Sequence, residues 1–146
     1  MNDVSIRMTD SVEESEKALI LDPLVKYNEK FVASDYRPLA IFVSEKDAET
    51  GAEKVVGGVW AASYYGGMFL DVLFLPEKMR GTGLGTRLMK QMEDEAVRRG
   101  CHLIWVDTFS FQARGFYEKQ GFSVFGTIED FPRGQSRYFL VKRLGK

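Results

Sequence analysis

A glycine-rich segment between residues 80 and 86 carries the clearest chemical signal in the sequence. It runs Arg80-Gly81-Thr82-Gly83-Leu84-Gly85-Thr86, and it separates an apolar stretch from a long amphipathic pattern. The alternating glycines let backbone amides approach an anion without a Cβ in the way. A helix that begins here would add the positive end of its dipole, and Arg80 can add a charge-assisted contact. We therefore expect this segment, the glycine loop, to bind phosphate or pyrophosphate.

Two well-known phosphate-binding loops do not match the glycine loop. No Gly-Lys-Ser or Gly-Lys-Thr sequence ends it, as nucleoside triphosphatases require. Thr86 occupies the position of the last glycine in the dinucleotide-binding pattern, and the loop does not follow the first predicted strand. A glycine-rich turn that serves only the geometry of the chain is the alternative interpretation.

The composition excludes several other kinds of site. The chain has one cysteine, Cys101, and one histidine, His102, so neither an internal disulfide nor a zinc site of the usual His/Cys type can form. The net charge of −1 gives no general attraction to nucleic acid or to an anionic membrane. No apolar stretch approaches the ~20 residues of a membrane-spanning helix. We expect no metal, no nucleic-acid partner and no membrane, and one cytoplasmic domain over residues 1–146.

Hydrophobic patterns predict the strands that must position the glycine loop. Met68–Leu75 is apolar except at Asp71, which indicates a central strand that is covered on both faces. The other predicted strands show alternating or short apolar runs bounded by turn residues. They are Val4–Met8, Leu39–Ser44, Val55–Tyr65, His102–Asp107, Phe122–Gly126 and Arg137–Lys142.

Helical patterns connect these strands. Residues 11–32 predict a helical region that Asp22-Pro23 should break in two. Thr82–Arg99 repeats apolar residues at four-residue steps, and Gln112–Lys119 predicts a short helix. Strand Met68–Leu75, the long helix and strand His102–Asp107 should form a parallel crossover unit. The fold class is therefore α/β, with a mixed sheet and helices on both faces.

Two motifs together resemble the GNAT superfamily of N-acetyltransferases. The family signature Arg/Gln-x-x-Gly-x-Gly/Ala is matched by Arg80, Gly83 and Gly85. A short helix with a tyrosine followed by Gly-Phe is matched by residues 113–122, which contain Tyr117. The resemblance covers the element order of essentially the whole chain. It implies a mostly antiparallel sheet of about seven strands, with a central parallel pair that splays apart, and transfer of an acyl group from acetyl-CoA to an amine.

The resemblance also implies which residues hold acetyl-CoA. The pantetheine arm would pair with backbone near Leu73 and Leu75, while Arg80 and the loop amides would bind the pyrophosphate. Ser110 stands seven residues before the tyrosine, where many relatives have an asparagine, and could bond the cofactor arm. The loop residues that would supply the amides are Gly81, Thr82, Gly83, Leu84, Gly85 and Thr86.

Three residues are candidates for catalysis. Tyr117 is predicted to protonate the leaving thiolate, or alternatively only to pack its ring and hydrogen-bond near the sulfur. Asp71 interrupts an apolar strand and Asp107 lies toward the end of the adjacent parallel strand, so each is a candidate general base. A buried acid that is satisfied by backbone amides would give the same pattern.

The acceptor is predicted only by class. We expect a primary amine of a small molecule or peptide to attack the donor directly in a ternary complex. A non-catalytic acyl-CoA sensor is the main alternative, and a nucleotide-binding protein of another fold is a third interpretation. Because related folds often pair through sheet edges, a homodimer is also expected.

Overall fold

The computed structural model describes residues 2–145, which divide into two units between Ser34 and Asp35. The first unit contains a 3-10 turn, Glu14–Lys17, followed by helix α1, Ala18–Asn28. The second unit contains every strand of the sheet. The single domain expected over residues 1–146 stays a prediction.

Two predictions for the first unit are wrong. Val4–Met8 forms no strand, and its side chains are exposed. A five-residue alternation has the same pattern whether or not a neighbouring strand accepts its backbone hydrogen bonds. The predicted break at Asp22-Pro23 is also absent, because α1 continues through Pro23. A proline has a backbone φ close to the helical value, so α1 can continue through Pro23, although the hydrogen bond to the carbonyl of Leu19 is lost and the ring crowds that carbonyl.

The second unit is a six-stranded mixed sheet, one strand fewer than predicted because Val4–Met8 is not part of it. The strand order is β1-β2-β3-β4-β6-β5, and only β3 and β4 are parallel. The strands are β1 (Arg37–Lys46), β2 (Glu53–Tyr64), β3 (Gly67–Phe74), β4 (Leu103–Phe109), β5 (Ser123–Glu129) and β6 (Ser136–Arg143). A 3-10 turn at Glu77–Met79, helix α2 (Leu84–Arg98) and helix α3 (Arg114–Lys119) connect them.

The core lies between the centre of the sheet and α2. Leu88, Met92 and Ala96 are spaced by four residues, which places them on one face of α2, and all three are buried. They belong to one apolar cluster with Leu70 of β3 and Ile104 of β4. The α2 helix therefore fixes the crossover between the two parallel strands, as the sequence predicted.

The parallel pair separates part-way along its length. Pairing between β3 and β4 ends at Leu70 and Val106, although both strands continue further. Opposite β2, Leu70 pairs with Ala61 and Val72 pairs with Trp60, so Asp71 is an extra residue in a β-bulge. Because a bulge bends its strand, β3 turns away from β4 at this point. The predicted splayed pair is confirmed.

Arg99, directly after α2, connects this helix to strands β1 and β2. Its guanidinium donates to the carbonyl oxygens of Arg37 (3.0 Å) and Pro38 (3.1 Å) and to the hydroxyl of Ser63 (3.1 Å). Its Nε lies 2.7 Å from a carboxylate oxygen of Glu95, and the side chain is only 8% exposed. One buried cation thus satisfies four acceptors on three elements.

Replacement of Arg99 by Met should destabilise the protein strongly. The substitution keeps much of the side-chain volume but removes four hydrogen bonds and leaves the buried Ser63 hydroxyl and the half-buried Glu95 carboxylate without this donor, at a cost of about 3 kcal/mol in the free energy of unfolding. Urea denaturation measures this change. Arg98→Met is the matched control, since Arg98 also pairs with Glu95 but is 70% exposed, and it should change stability by less than about 1 kcal/mol. Equal effects of the two substitutions would contradict this account of Arg99.

Candidate functional site

A cavity of about 690 Å³ lies where β3 and β4 separate. Its walls come from the end of β3, the end of β4, the glycine loop and the start of α3. Most of the predicted site residues meet here. Those that line the cavity are Asp71, Leu73, Leu75, Arg80, Gly81, Gly83, Gly85, Thr86, Asp107 and Tyr117.

The glycine loop needs glycine for two different reasons. Gly81 (φ +74°) and Gly83 (φ +86°) have left-handed backbone conformations, which residues with a Cβ rarely adopt. Gly83 is the residue directly before α2. Gly85 lies within α2, where an added Cβ would come within 3.3 Å of the Phe116 ring. The loop thus turns tightly into α2 and remains in close contact with α3.

The backbone amides of the glycine loop are unused. Within the described residues, none of the N–H groups from Gly81 to Thr86 donates a hydrogen bond, and the first such bond runs from Arg87 to the carbonyl of Gly83 (3.1 Å). Thr82 and Leu84 belong to this set although they do not line the cavity. A row of free amides at a helix N-terminus is an anion-binding arrangement.

Arg80 adds a positive charge beside these amides. Its Nε donates to the carbonyl of Leu75 (2.9 Å), and its guanidinium carbon lies 5.7 Å from the centre of the Phe74 ring. In the part of the chain that the structure describes, it has no carboxylate partner within ion-pair distance. The charge of Arg80 is therefore held in place and remains available to an anion.

Tyr117 is a buried phenol at the cavity. Only 5% of the residue is exposed, and its ring packs against those of Phe116 (5.4 Å between centres) and Phe122 (5.8 Å). Its hydroxyl makes no hydrogen bond to any residue between 2 and 145. Burial raises the pKa of the Tyr117 phenol to about 12, with a smaller contribution from the negative charge of Asp107. The phenol consequently stays protonated at neutral pH.

The two candidate bases have different surroundings. Asp107 is half-buried and forms an ion pair with Arg137, whose Nη2 (2.7 Å) and Nε (3.2 Å) both donate to Oδ1. Asp71, the bulge residue of β3, is exposed and makes no ion pair with the described part of the chain. Both residues line the cavity.

Ser110 is not brought to the cavity. Its hydroxyl donates to Oε1 of Gln135 (2.6 Å) and accepts the amide of Ser136 (3.0 Å), which joins β4 to the start of β6. Gln112 lines the cavity instead, with its Oε1 accepting the amide of Phe109 (2.8 Å). Neither Gln112 nor Arg137 was among the site residues predicted from the sequence. A polar residue at the start of the predicted short helix was the available signal for Gln112.

Between residues 2 and 145, no three or more His, Cys, Asp and Glu side chains are grouped closely enough to hold a metal ion. Over the same range, no helix is both long enough and apolar enough to cross a membrane.

Residues 7–122 match the family described as the acetyltransferase (GNAT) family. The chain belongs to this family. It is 39% identical over 131 residues to acetyltransferase Atu2258 of Agrobacterium fabrum, covering 89% of this chain and 91% of the relative. It is 34% identical over 109 residues to the blasticidin-S acetyltransferase of Streptomyces morookaense, covering 74% of this chain and 79% of that protein. A crystal structure from Agrobacterium tumefaciens superposes with a TM-score of 0.85 at 33% identity, over 97% of this chain and 100% of the other.

These relatives confirm three predictions. The family and the N-acetyltransferase activity are those expected from the glycine loop and the tyrosine helix, and membership of this family brings acetyl-CoA as the acetyl donor. The roles of individual residues, the acceptor, the homodimer and the cytoplasmic location stay predictions.

The buried phenol can be tested by titration. The chain has six tyrosines, and the wild-type minus Tyr117→Phe difference in tyrosinate absorbance should show one phenol with a midpoint near pH 12. In denaturant the midpoint of the same difference should fall to the ordinary phenol pKa of about 10. A raised pKa favours the protonated form in the fold. The raised pKa of Tyr117 therefore contributes fully to stability below about pH 10, and this contribution is lost as the pH rises through about 12. A native midpoint near 10 would contradict the burial argument.

Proposed function

We propose that this acetyltransferase moves acetyl from acetyl-CoA to a primary amine of a small molecule or peptide in the cavity between β3 and β4. One observation carries the proposal: free amides from Gly81 to Thr86 adjoin a cavity that Tyr117 and Asp107 also line. A site for an anion and two side chains that can donate or accept a proton thus adjoin one cavity.

The glycine loop fits the diphosphate of coenzyme A. The six N–H groups and the charge of Arg80 can satisfy several phosphate oxygens, and no Cβ at Gly81 or Gly83 obstructs the approach. Beyond Leu70, the edge of β3 that faces β4 pairs with no strand among residues 2–145, so its backbone groups are available to the amide-containing pantetheine arm. Leu73 and Leu75, both at the cavity, are the proposed contacts.

When bound, acetyl-CoA supplies an activated acyl carbon and a thiolate leaving group. We assign Tyr117 to stabilise that thiolate by donating a hydrogen bond. Complete proton transfer from a phenol with a pKa of about 12 to a thiolate of pKa about 8.5 would be uphill by roughly 5 kcal/mol. A hydrogen bond to the developing charge has no such cost. This assignment favours the second interpretation of Tyr117 from the sequence, a donor that keeps its proton.

An amine must lose a proton before or during its attack, which requires an acceptor in the cavity. Asp107 is our first choice, because it is half-buried and its carboxylate is held in place by Arg137. Asp71 is exposed, and it would act through a water molecule. Under this assignment Asp107→Asn should lower turnover more than Asp71→Asn does.

The name of one relative supports a small-molecule acceptor. A protein 34% identical to this chain is named for the acetylation of blasticidin S. We therefore place that antibiotic first in a panel of amine-bearing antibiotics, small cationic metabolites and peptide amines.

Release of free thiol from acetyl-CoA on addition of an amine tests the proposed function. We expect at least one member of the panel to be acetylated, as mass spectrometry of the product would show. Tyr117→Phe should lower kcat by about 30-fold to 100-fold, which corresponds to the loss of one hydrogen bond to a charged group. It should leave the Kd for coenzyme A within about twofold, because ring packing is kept. Binding of acetyl-CoA without turnover on any amine would favour a non-catalytic sensor.

A second test concerns the anion site. Arg80→Ala should weaken coenzyme A binding by about tenfold, the effect expected from one charge-assisted contact with phosphate. Isothermal titration calorimetry measures this change. Pantetheine lacks the diphosphate, so it should bind more weakly than coenzyme A. Its Kd should be the same for the wild type and for Arg80→Ala. Arg133→Ala is the matched control, since Arg133 is 94% exposed on the turn between β5 and β6. An unchanged Kd for coenzyme A in the Arg80 variant would exclude Arg80 from the site.

A further inference from the structure

Arg137 pairs with Asp107, a residue of the cavity, although Arg137 does not itself line the cavity. Asp107 and Phe109 lie on the same face of β4, since they are two residues apart. The strand partner of Phe109 is Arg137, and that of Asp107 is Phe139. The Arg137 side chain therefore crosses diagonally to reach Asp107, and the pair forms across the β4–β6 ladder.

Three aromatic rings hold the Arg137 guanidinium. Its central carbon lies 5.2 Å from the ring centre of Phe109, 5.4 Å from that of Phe139 and 5.8 Å from that of Phe131. The rings of Phe109 and Phe131 also pack edge to face at 5.5 Å. Cation–π contacts of this kind restrict a planar guanidinium to one orientation. Arg137 is thus a fixed donor, unlike a mobile surface arginine.

The bonds from Arg137 occupy one oxygen of Asp107 only. Both Nη2 and Nε donate to Oδ1. Within residues 2–145, Oδ2 accepts no hydrogen bond, although Asp107 lines the cavity and its side chain is only 20% exposed. A carboxylate whose first oxygen is fixed and whose second oxygen is open can receive one further donor in a defined direction.

We propose that Arg137 is a positioning residue, which fixes Asp107 so that Oδ2 receives the ammonium group of the acceptor. This inference rests on the proposed amine acetylation and narrows its acceptor to amines that arrive protonated. The ammonium first binds Oδ2 by a charge-assisted hydrogen bond. One proton of the ammonium passes through water to solvent, and the freed nitrogen lone pair forms the C–N bond to the acyl carbon. As the C–S bond breaks and the thiolate leaves, the second proton passes from the nitrogen to Oδ2.

The test compares Arg137→Gln with Arg137→Lys. The glutamine variant should raise KM for the acceptor by about 30-fold, the effect of losing one oriented charge-assisted contact, while kcat changes less. Lysine keeps the charge but lacks the planar two-donor edge, so it should restore only part of the loss. The Kd for acetyl-CoA should stay within about twofold in both variants, which shows that the fold and the donor site are intact. Arg133→Gln is the control for removal of an arginine and should match the wild type.

A double-mutant cycle decides whether Arg137 acts through Asp107. In the Asp107→Asn background, Arg137→Gln should cause almost no further loss of kcat/KM. Equal losses in the two backgrounds would overturn the proposal, as would an unchanged KM in Arg137→Gln.

A crystal structure of Arg137→Gln gives a readout that does not depend on turnover. We expect the Asp107 carboxylate to occupy more than one orientation, and a single unchanged position would overturn the proposal. If the wild type binds acetyl-CoA but acetylates no amine, the proposed function fails on that result alone. The Asp107 orientation then still decides the role of Arg137.

Discussion

The short parallel pairing between β3 and β4 is the constraint on which the site depends. Only four residues of each strand pair, ending at Leu70 and Val106. Beyond that point β3 is held by β2 and β4 is held by β6, so each strand keeps antiparallel hydrogen bonds on its outer side alone. The sheet thus consists of two three-stranded antiparallel halves joined over a short length. The halves can diverge without unpairing any other strand, and the cavity occupies the space between them.

The glycine loop links the cavity to helices α2 and α3. Positive φ values at Gly81 and Gly83 bring the chain from the end of β3 into α2 within a few residues. Gly85 then allows the ring of Phe116 to approach α2 closely, which places α3 beside the loop. Since α3 also carries Tyr117, the same glycine-dependent packing determines where the phenol lies relative to the free amides. Anion site and phenol are therefore parts of one packed arrangement.

Local patterns predicted the parts of this arrangement that lie within continuous segments. The central strand, the amphipathic α2 and the glycine loop each have their signal in fewer than twenty consecutive residues. Two errors, the strand at Val4–Met8 and the break at Pro23, arose where a local pattern is compatible with more than one backbone. The Asp107–Arg137 pair could not be predicted, because its partners are 30 residues apart and meet only through the register of β4 against β6. Ser110 was assigned by position in a motif, whereas its hydrogen bonds connect it to β6.

The distribution of charge around the cavity agrees with a reaction between an anionic donor and a cationic acceptor. Arg80 and the loop amides make one wall positive, whereas Asp71 and Asp107 make the ends of the strands negative. Tyr117 lies in the same cavity and is kept neutral by burial, with the charge of Asp107 acting in the same direction. Because Arg137 already balances part of the charge on Asp107, the carboxylate can remain half-buried beside a protonated phenol. Two ligands of opposite charge can then be drawn to different walls of the cavity, which the neutral phenol of Tyr117 also lines.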